Sequence, residues 1–382
     1  MRLRAWMVIL LVVALFAVGR AQWSEPERLQ GPINDDPSTK TWPSINATGD
    51  TLFYAKEGEN GNENICFSYR MDDSTWSGPQ LLGPQINTPQ REISPSIGPG
   101  DSILYFVTWG RPGGYGDYDI WYSRRGQDGQ WGDPINAGPN VNTSAMEWGV
   151  FLSRDGHSLY FSSDRYPAEF LDIYKSEWQD SGGWGSPVRL PGHVNSFSDD
   201  ENVTLPADES FLILTSWRYY LSSDLYYSRL DSTGWSEATL IPELSTNGME
   251  EGASLTPDGL TVYIASARDS AAPYDTQLYV SHRPNTVLPH GDPLPQMITL
   301  EQNYPNPFNP GTVIRFDLPE PARVELKVFN TLGEMVTTLV NENRPAGEYR
   351  VTWDGSGFAS GPYVCQLRAG KFLQSKKMLL IH

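Results

Sequence analysis

A unit of about 50 residues repeats five times in this chain of 382 residues. Each copy holds a run that alternates apolar and polar residues, a pattern typical of a half-buried strand. These runs are "NICFSYR" from Asn64, "DIWYSRR" from Asp119, "DIYKSEW" from Asp172, "DLYYSRL" from Asp224 and "QLYVSHR" from Gln277. Tryptophans at positions 23, 76, 131, 184 and 235 keep the same period, with steps of 53, 55, 53 and 51 residues. Four short strands per copy at this period predict a β-propeller.

The phase of the repeat predicts how the ring closes. We label the strands of one copy A to D; strand B carries "LYF", strand C "DIWYS" and strand D "WSxPxxL". The mature chain predicted below starts with a D strand, Trp23–Leu29, and the fifth copy ends after its C strand near Arg283. An N-terminal strand that completes the last blade leaves no open edge. We therefore predict an all-β fold with a five-bladed β-propeller at residues 22–284, closed by the N-terminal strand.

The copies resemble the TolB-type propeller repeat of exported bacterial proteins. The pattern "PDG…LYF…SxRxGGxGxxDIY" of that family is matched nearly in full by residues 153–174 and 95–123. The resemblance covers about 260 residues and implies a fold, not a function.

The glycine-rich stretch "RPGGYGDYDIWYS" at Arg111–Ser123 invites comparison with a phosphate-binding loop. Such a loop needs a helix N-terminus behind its glycines, whose aligned N–H groups bind the phosphate. A strand follows here, inside a repeated unit. We interpret these glycines as part of a B–C loop and predict no nucleotide site.

The N-terminus has the pattern of a secretory signal peptide. Arg2 and Arg4 precede a 15-residue apolar run, Ala5–Gly19, which is short for a membrane span, and a small-x-small cleavage site ends at Ala21. We predict a signal peptide at residues 1–21 and no transmembrane segment in the mature chain. An uncleaved anchor is the alternative.

Charge excludes some partners. The formal net charge is −18, and loss of the three arginines of the signal peptide makes it −21. An acidic chain repels nucleic acid and anionic membranes, so glycans, peptides or divalent cations fit better. Five scattered histidines give no zinc spacing, and we predict neither a metal nor a cofactor. The redox state of Cys66 and Cys365 stays open, since they fall in different predicted domains.

Acids and arginines recur at fixed places in the copies. The acids stand just before strand A, at Glu92, Glu147, Asp200 and Glu250, with Lys40 in the first copy. The arginines stand in the B–C loops, at Arg111, Arg165, Arg218 and Arg268, with Gly58 in the first copy. Both loops emerge on one face, so the acids either bind Ca²⁺, act in sugar hydrolysis, or pair with the arginines. The first copy lacks both partners together, which favours structural pairs.

Asparagines recur a few residues before these acids. They are Asn34, Asn87, Asn142, Asn195 and Asn247. Asn side chains commonly bond their own backbone in turns, and we interpret all five in that way.

Aromatic residues on the same face do not repeat between copies. Aromatic rings beside acids suit sugars, whose C–H faces stack while their hydroxyls find acceptors. We predict a binding surface at Trp109, Tyr115, Tyr118, Trp148, Tyr166, Trp217, Tyr219 and Tyr274. Packing between blades is the alternative for several of them.

A glycan-active hydrolase is the main alternative function. Such a site needs carboxylates about 5–10 Å apart in the channel. The segments read as A strands, "WPSIN", "SPSIG", "GVFLS", "NVTLP" and "ASLTP", contain no acid. We predict no catalytic residue and favour a non-catalytic module that binds glycan or protein; a structural surface component is a third possibility.

The last 85 residues form a separate region behind a proline-rich linker at residues 285–297. "LEQNYPNPFNPGTVIRFDLP", "VELKVFNTLGEMV", "AGEYRVTWDGSG" and "SGPYVCQLRAG" resemble the C-terminal sorting domain of type IX secretion cargo, related in fold to the FlgD immunoglobulin-like module. The resemblance implies an Ig-like β-sandwich at residues 298–382 that engages the type IX machinery. It implies a protein that is secreted or held on the outer-membrane surface, reached through the periplasm. An adhesive Ig module is the alternative.

Overall fold

The computed structural model describes residues 23–58, 61–165, 170–180, 182–218, 222–231, 233–270, 272–283, 298–303, 306–319, 322–344, 347–370 and 372–381. The predicted signal peptide (1–21) and linker (285–297) lie outside these residues. The described chain falls into two compact units, Trp23–Arg283 and a C-terminal unit within Pro284–His382. The described residues form antiparallel sheets with two 3₁₀ turns, Pro32–Asn34 and Pro99–Asp101, and no α-helix. The all-β prediction is confirmed.

The strands of the N-terminal unit are short. In chain order they are β1 (Glu27–Arg28), β2 (Lys40–Ile45), β3 (Thr51–Glu57), β4 (Glu63–Tyr69), β5 (Gln80–Leu81), β6 (Glu92–Ile97), β7 (Ile103–Trp109), β8 (Tyr118–Arg124), β9 (Ile135–Asn136), β10 (Glu147–Leu152), β11 (Ser158–Ser163), β12 (Asp172–Glu177), β13 (Val188–Arg189), β14 (Asp200–Thr204), β15 (Phe211–Ser216), β16 (Asp224–Asp231), β17 (Gly234–Trp235), β18 (Thr239–Leu240), β19 (Glu250–Leu255), β20 (Thr261–Ser266) and β21 (Gln277–His282).

These strands form five antiparallel sheets that follow the repeat. Sheet 1 is β2-β3-β4-β5, sheet 2 is β6-β7-β8-β9, and sheet 3 is β10-β11-β12-β13. Sheet 4 is β14-β15-β16-β18, with β17 also paired to β16. Sheet 5 is β19-β20-β21-β1, so its outer strand comes from the N-terminus, with Glu27 opposite Val280.

The D strands are shorter than predicted. Trp76 makes only an isolated bridge to Arg70, and the ladder proper starts at Gln80. Pro79 stands between them, and proline has no N–H to donate to a ladder. The tryptophan serves the core instead: Trp76 is 2% exposed and packs edge-on against Tyr263 of sheet 5.

Each pair of neighbouring sheets shares one apolar core. Five buried clusters lie between sheets 1 and 2, 2 and 3, 3 and 4, 4 and 5, and 5 and 1. The A strands (β2, β6, β10, β14 and β19) contact one another in the same cyclic order, and β19 contacts β2. The five sheets therefore close into a ring with the A strands innermost.

Hydroxyl groups join the A strands around this ring. In four of the five junctions, a Ser or Thr hydroxyl on one A strand accepts a hydrogen bond from a backbone N–H on the next. The bonds are Ile97 N to Ser44 Oγ (3.0 Å), Leu152 N to Ser96 Oγ (2.8 Å), Leu255 N to Thr204 Oγ1 (3.0 Å) and Ile45 N to Ser254 Oγ (3.0 Å). At the junction of sheets 3 and 4 the equivalent residue is Phe151, which packs in the apolar core there.

The C-terminal unit has two sheets around one core. Its strands are β22 (Thr299–Leu300), β23 (Gly311–Leu318), β24 (Ala322–Phe329), β25 (Met335–Arg344), β26 (Gly347–Asp354), β27 (Gly361–Ala369) and β28 (Phe372–Leu380). The sheets are β22-β23-β26 and β25-β24-β27-β28, and Phe316, Leu326 and Trp353 lie in the shared core. Cys365 is buried in this core and Cys66 in a core of the other unit, both as free thiols.

Deletion of residues 22–30 tests the closure by β1. We expect the deletion to abolish cooperative thermal unfolding or to lower Tm by about 10 °C, because β21 becomes an open edge and Trp23 leaves its core. Insertion of the same segment after Arg283 is the matched control. It should restore Tm, since Ser24 N already bonds His282 O at 2.8 Å. Parent-like melting of the deletion variant would contradict closure by β1.

Candidate functional site

The recurring acids are buried and hold the loop that precedes each A strand. Glu147 accepts hydrogen bonds from Thr143 N (3.0 Å), Thr143 Oγ1 (3.0 Å) and Ser163 Oγ (3.0 Å). Glu92 and Glu250 accept the equivalent bonds from Thr88 with Thr108, and from Thr246 with Ser266. Burial raises the pKa of Glu147 and of Glu250 to about 7. These carboxylates are occupied by their own loops.

The predicted acid–arginine pairs do not all have the same geometry. Arg165 and Glu147 are 3.0 Å apart, and Arg218 and Asp200 are 2.9 Å apart. Arg111 and Glu92 are 3.9 Å apart, and the Arg111 guanidinium bonds instead to the carbonyls of Gln85 and Ile86.

The fourth predicted pair, Glu250 with Arg268, is indirect. Arg268 Nε donates to Ser266 Oγ (3.2 Å), and Ser266 Oγ donates to Glu250 (2.8 Å). The charged partner of Arg268 is Glu25, at 3.4 Å. Glu25 lies just before β1, so the N-terminal segment that closes the ring supplies the ion-pair partner of the Arg268 guanidinium.

Lys40 performs the loop-holding role in sheet 1 with the opposite charge. Its side chain is fully buried, and Nζ donates to Asp36 O (3.0 Å), Ser38 O (2.8 Å) and Gln277 Oε1 (3.0 Å). The loop here presents carbonyl oxygens where the other loops present N–H and O–H donors. A donor therefore replaces the acceptor, and no arginine is needed at Gly58.

The recurring asparagines hold strand C rather than their own turns, which corrects the turn interpretation. Asn87 accepts from Ile65 N (2.8 Å) and donates to the carbonyls of Ile65 and Leu82. Asn34, Asn142 and Asn195 bond the C strands of sheets 5, 2 and 3 in the same way. In sheet 4 the role belongs to Ser245, which accepts from Leu225 N (3.2 Å), and Asn247 is exposed.

The predicted aromatic residues separate into two groups. Trp109, Tyr115 and Tyr274 are exposed, by 46%, 50% and 66%. Tyr118, Trp148 and Trp217 are partly buried and belong to the cluster described next. Tyr166 and Tyr219 lie outside the described residues.

Eight side chains form one connected group around the ring axis, which we call the axial cluster. Every sheet contributes at least one of them. They are Trp42 and Glu63 (sheet 1), Arg91 and Tyr118 (at sheet 2), Trp148 (sheet 3), Glu201 and Trp217 (at sheet 4) and Glu251 (sheet 5).

Aromatic and ionic contacts connect one half of the axial cluster. Trp148 packs edge-on against Trp42, with 5.8 Å between ring centroids, and against Tyr118, at 4.9 Å. The Arg91 guanidinium lies 5.3 Å from the centroid of the Trp148 ring and donates to Tyr118 Oη at 3.2 Å. Glu63 binds the same guanidinium through two hydrogen bonds, one of them 2.6 Å long.

Two carboxylates occupy the other half. Glu201 accepts a hydrogen bond from Trp217 Nε1 at 3.0 Å. Burial and the neighbouring charge of Glu251 raise the pKa of Glu201 to about 8. Burial and the charge of Glu63 raise the pKa of Glu251 to about 7. Both side chains are nevertheless partly exposed, so solvent reaches them although protein replaces most of their hydration.

The bulges of the A strands produce this convergence. Pairing of strands A and B skips two residues in every sheet, and among them are Trp42, Trp148, Glu201 and Glu251. A bulge re-aims side chains, and bulges are enriched beside active sites. Trp42 has φ 48°, a rare left-handed conformation for a bulky residue.

Polar groups beneath the axial cluster cross the ring axis. Ser94 Oγ donates to Asn202 Oδ1 (3.0 Å), which links sheets 2 and 4. Trp42 Nε1, Trp148 Nε1 and Asn202 Nδ2 are buried and have no hydrogen-bond partner within the described residues. Further along the axis, Arg154 donates to the carbonyls of Ile45 and Leu255 and joins sheets 3, 1 and 5.

The sequence predicted part of this cluster. Tyr118, Trp148 and Trp217 were expected on this face, whereas Trp42, Glu63, Arg91, Glu201 and Glu251 were not. The expectation that strand A holds no acid is wrong, because the strands begin earlier, at Glu147, Asp200 and Glu250. The sequence did contain a signal for Glu201 and Glu251: in "DEN" and "EEG" a second acid directly follows the recurring one.

Comparisons with known proteins identify the C-terminal unit. Residues 302–381 match the family described as "Secretion system C-terminal sorting domain". The chain therefore carries a type IX secretion sorting domain and is exported to the cell surface or secreted. No curated protein sequence matches the chain. No helix among the described residues is long and apolar enough to span a membrane.

Solved structures resemble the chain only in part. TolB from Acinetobacter baumannii is 15% identical over 64% of this chain and 54% of its own, with a TM-score of 0.42. An α-L-arabinofuranosidase from Podospora anserina is 14% identical over 69% of this chain and 98% of its own, with a TM-score of 0.45. PorZ, a surface component of the type IX secretion system of Porphyromonas gingivalis, is 16% identical over 90% of this chain and 45% of its own, with a TM-score of 0.34. At these scores no property of those proteins passes to this chain.

The described part of the chain offers no evident metal centre. No group of three or more His, Cys, Asp or Glu side chains in the described ranges is placed to hold an ion.

A double-mutant cycle tests the loop-holding role of Glu147 and Arg165. We expect Arg165→Ala to cost about 1–3 kcal/mol and the pair to show a coupling energy of about 1 kcal/mol or more. The matched cycle on Glu250 and Arg268, which are joined through Ser266, should give less than about 0.5 kcal/mol. Chemical denaturation measures both. Equal couplings, or a Tm that Ca²⁺ raises in the parent but not in Glu147→Gln, would overturn the structural role.

The pKa values of the axial carboxylates predict a pH dependence of stability. Between about pH 5 and pH 8 the native state binds protons at Glu201 and Glu251 that the unfolded chain has released. Stability therefore falls as pH rises through this window. We expect Glu201→Gln/Glu251→Gln to flatten the fall and to be more stable than the parent at pH 8 by about 1–3 kcal/mol, since one pKa unit is about 1.4 kcal/mol. Parent-like slopes in thermal melts from pH 5.5 to 8.5 would contradict this.

Proposed function

We propose that residues 22–284 form a five-bladed β-propeller that binds a glycan at the axial cluster, and that the sorting domain delivers this propeller to the cell surface. The observation that carries the proposal is the convergence on one axis of acids and aromatic rings from all five sheets, none of which holds a loop before strand A. Residues that do repeat are occupied in holding loops, so the axial cluster is what distinguishes this ring from a plain scaffold.

The blade count rests on the cyclic contacts of the A strands and on the five inter-sheet cores. Each blade is one antiparallel sheet, and β1 supplies the last strand of the fifth blade. Ring closure of this kind removes the open edge that a linear row of sheets would have.

The export route follows from the order of segments. A signal peptide at residues 1–21 would take the chain to the periplasm, and an Ig-like β-sandwich at residues 298–382 would engage the type IX machinery. The linker at residues 285–297 separates this address from the propeller. Two sheets around a single core in the C-terminal unit agree with the Ig-like assignment.

A glycan suits the axial cluster better than a protein surface does. Indole and phenol rings offer apolar faces for a sugar ring, and Glu201 and Glu251 offer acceptors for hydroxyls. The site is central to the ring, which fits the end or a branch of a saccharide chain.

Hydrolysis of the glycan is the second candidate. It is favoured by one observation: a carboxyl group with a pKa of about 8 next to a second carboxyl in a solvent-accessible site. A group of this kind can act as a general acid at neutral pH. Turnover distinguishes the two functions.

Glycan binding is tested on the purified full-length protein with a glycan array, followed by calorimetric titration of the hits. We expect Trp148→Ala to weaken binding at least about tenfold through the lost stacking surface. Trp109→Ala and Tyr274→Ala, outside the axial cluster, are the matched controls and should change affinity less than about twofold.

Further measurements separate the alternatives. Thermal melts establish that Trp148→Ala is folded, and Glu251→Gln provides a second, milder variant of the same site. No saccharide binding, or binding that neither variant weakens, would rule out a glycan site at the axial cluster. Cleavage of a bound glycan that Glu201→Gln abolishes without loss of binding would establish the hydrolase instead.

A further inference from the structure

Within the described residues Glu201 and Glu251 form no direct ion pair, in contrast to three other acids of the ring; Arg91, whose charge lowers the pKa of Glu251, is paired with Glu63. Glu147 and Asp200 pair with arginines, and Glu63 pairs with Arg91. Within the described residues, Glu201 accepts one hydrogen bond, from Trp217, and Glu251 accepts none. Two adjacent carboxylates with a single donor between them form an incomplete electrostatic site.

The surroundings of these acids favour an organic cation over a bare metal ion. Aromatic rings contribute attractive faces for an ammonium group, as Trp148 already does for Arg91. The described residues contain no third acid, His or Cys placed with these two to complete a metal site. An ammonium group brings three donors, which two carboxylates can accept together.

The residues beneath the acids add a second requirement. Trp42 Nε1 and Asn202 Nδ2 are donors in side chains that are more than nine-tenths buried, and neither has an acceptor within the described residues. Asn202 directly follows Glu201 in the bulge, and Trp42 packs against Trp148. An alkylammonium such as a lysine side chain has no acceptor to offer them. A sugar has hydroxyl and ring oxygens that accept hydrogen bonds, directly or through a bridging water.

We propose that the axial cluster recognises an amino sugar with a free amine, whose ammonium group bridges Glu201 and Glu251 while its ring stacks on the indoles. This inference rests on the glycan-binding function proposed above and specifies its ligand class. The single positive charge of the ligand would offset one of the two negative charges and would be shared between the acids, whereas Arg165 and Glu147 pair one to one.

The test compares four probes by isothermal titration calorimetry at pH 7.5 with the full-length protein, because Glu251, with a pKa of about 7, is mostly ionised at that pH. They are a β-1,4-linked glucosamine trimer, its N-acetylated counterpart, the corresponding glucose trimer, and trilysine. We expect the glucosamine trimer to bind at least about tenfold more tightly than either neutral trimer, because only it supplies a cation to the two acids.

Variants attribute the preference to the two acids. Glu201→Gln/Glu251→Gln should reduce the preference for the amine to less than about threefold, because the glucosamine trimer loses more affinity than the neutral trimers do. Glu27→Gln/Glu237→Gln is the matched control, since it removes two negative charges at exposed positions of the same unit and should keep the full preference. Thermal melts establish that both double variants are folded.

The failures are distinguishable. Neutral trimers that bind as tightly as the glucosamine trimer would overturn the amino-sugar inference and leave the glycan site standing. Trilysine binding without saccharide binding, or no binding of any probe, would overturn both. If Glu27→Gln/Glu237→Gln also loses the preference for the amine, the preference comes from the net charge of the unit, and the inference is overturned.

Discussion

The hydrogen bond from a backbone N–H of one A strand to a hydroxyl on the next is the interaction on which the ring depends. An A strand is the inner edge of its sheet. The N–H groups on its unpaired side, which point away from strand B, have no ladder partner. Ser44, Ser96, Thr204 and Ser254 supply that partner without filling the space a larger side chain would take. The sheets can then meet along a narrow inner line and open outward, which leaves room for an apolar core between each pair.

The same inner strands carry the functional site because each of them bulges near its start. In each sheet, two residues of strand A are skipped in the pairing with strand B, so their side chains need not pack as the rest of the repeat does. Trp42, Trp148, Glu201 and Glu251 occupy these places, and Ser94 and Asn202 link across the axis below them. A composite cluster arises in which sheets 1 and 3 contribute indoles, and the neighbouring sheets 4 and 5 contribute glutamates at equivalent bulge positions.

The acids of the ring have different surroundings according to whether they hold a loop or lie in the axial cluster. Acids that repeat are buried, surrounded by donors from their own loop and, in two sheets, directly paired with arginine at hydrogen-bond distance. Glu201 and Glu251 stand in the axial cluster with a single hydrogen-bond donor between them, and burial raises their pKa values as it raises those of Glu147 and Glu250. Lys40 takes the place of the loop-holding carboxylate in sheet 1. The loop there presents carbonyl oxygens, and the Lys40 ammonium group donates hydrogen bonds to them.

The sequence by itself determined the all-β class, the phase of the repeat and the sorting domain, since each of these depends on local periodicity or on a motif that is contiguous in the chain. It also placed Tyr118, Trp148 and Trp217 on the face that carries the axial cluster. Only the tertiary structure decided which acids hold a loop and which lie in the axial cluster. "DEN" and "EEG" each contain two carboxylates in succession, and the bulge sends the first into the loop and the second to the axis. The partner of Arg268 was likewise set by a segment 243 residues away, Glu25, because ring closure brings the two ends of the unit together. Contacts that depend on closure have no local pattern in the chain, and the axial cluster is made of such contacts.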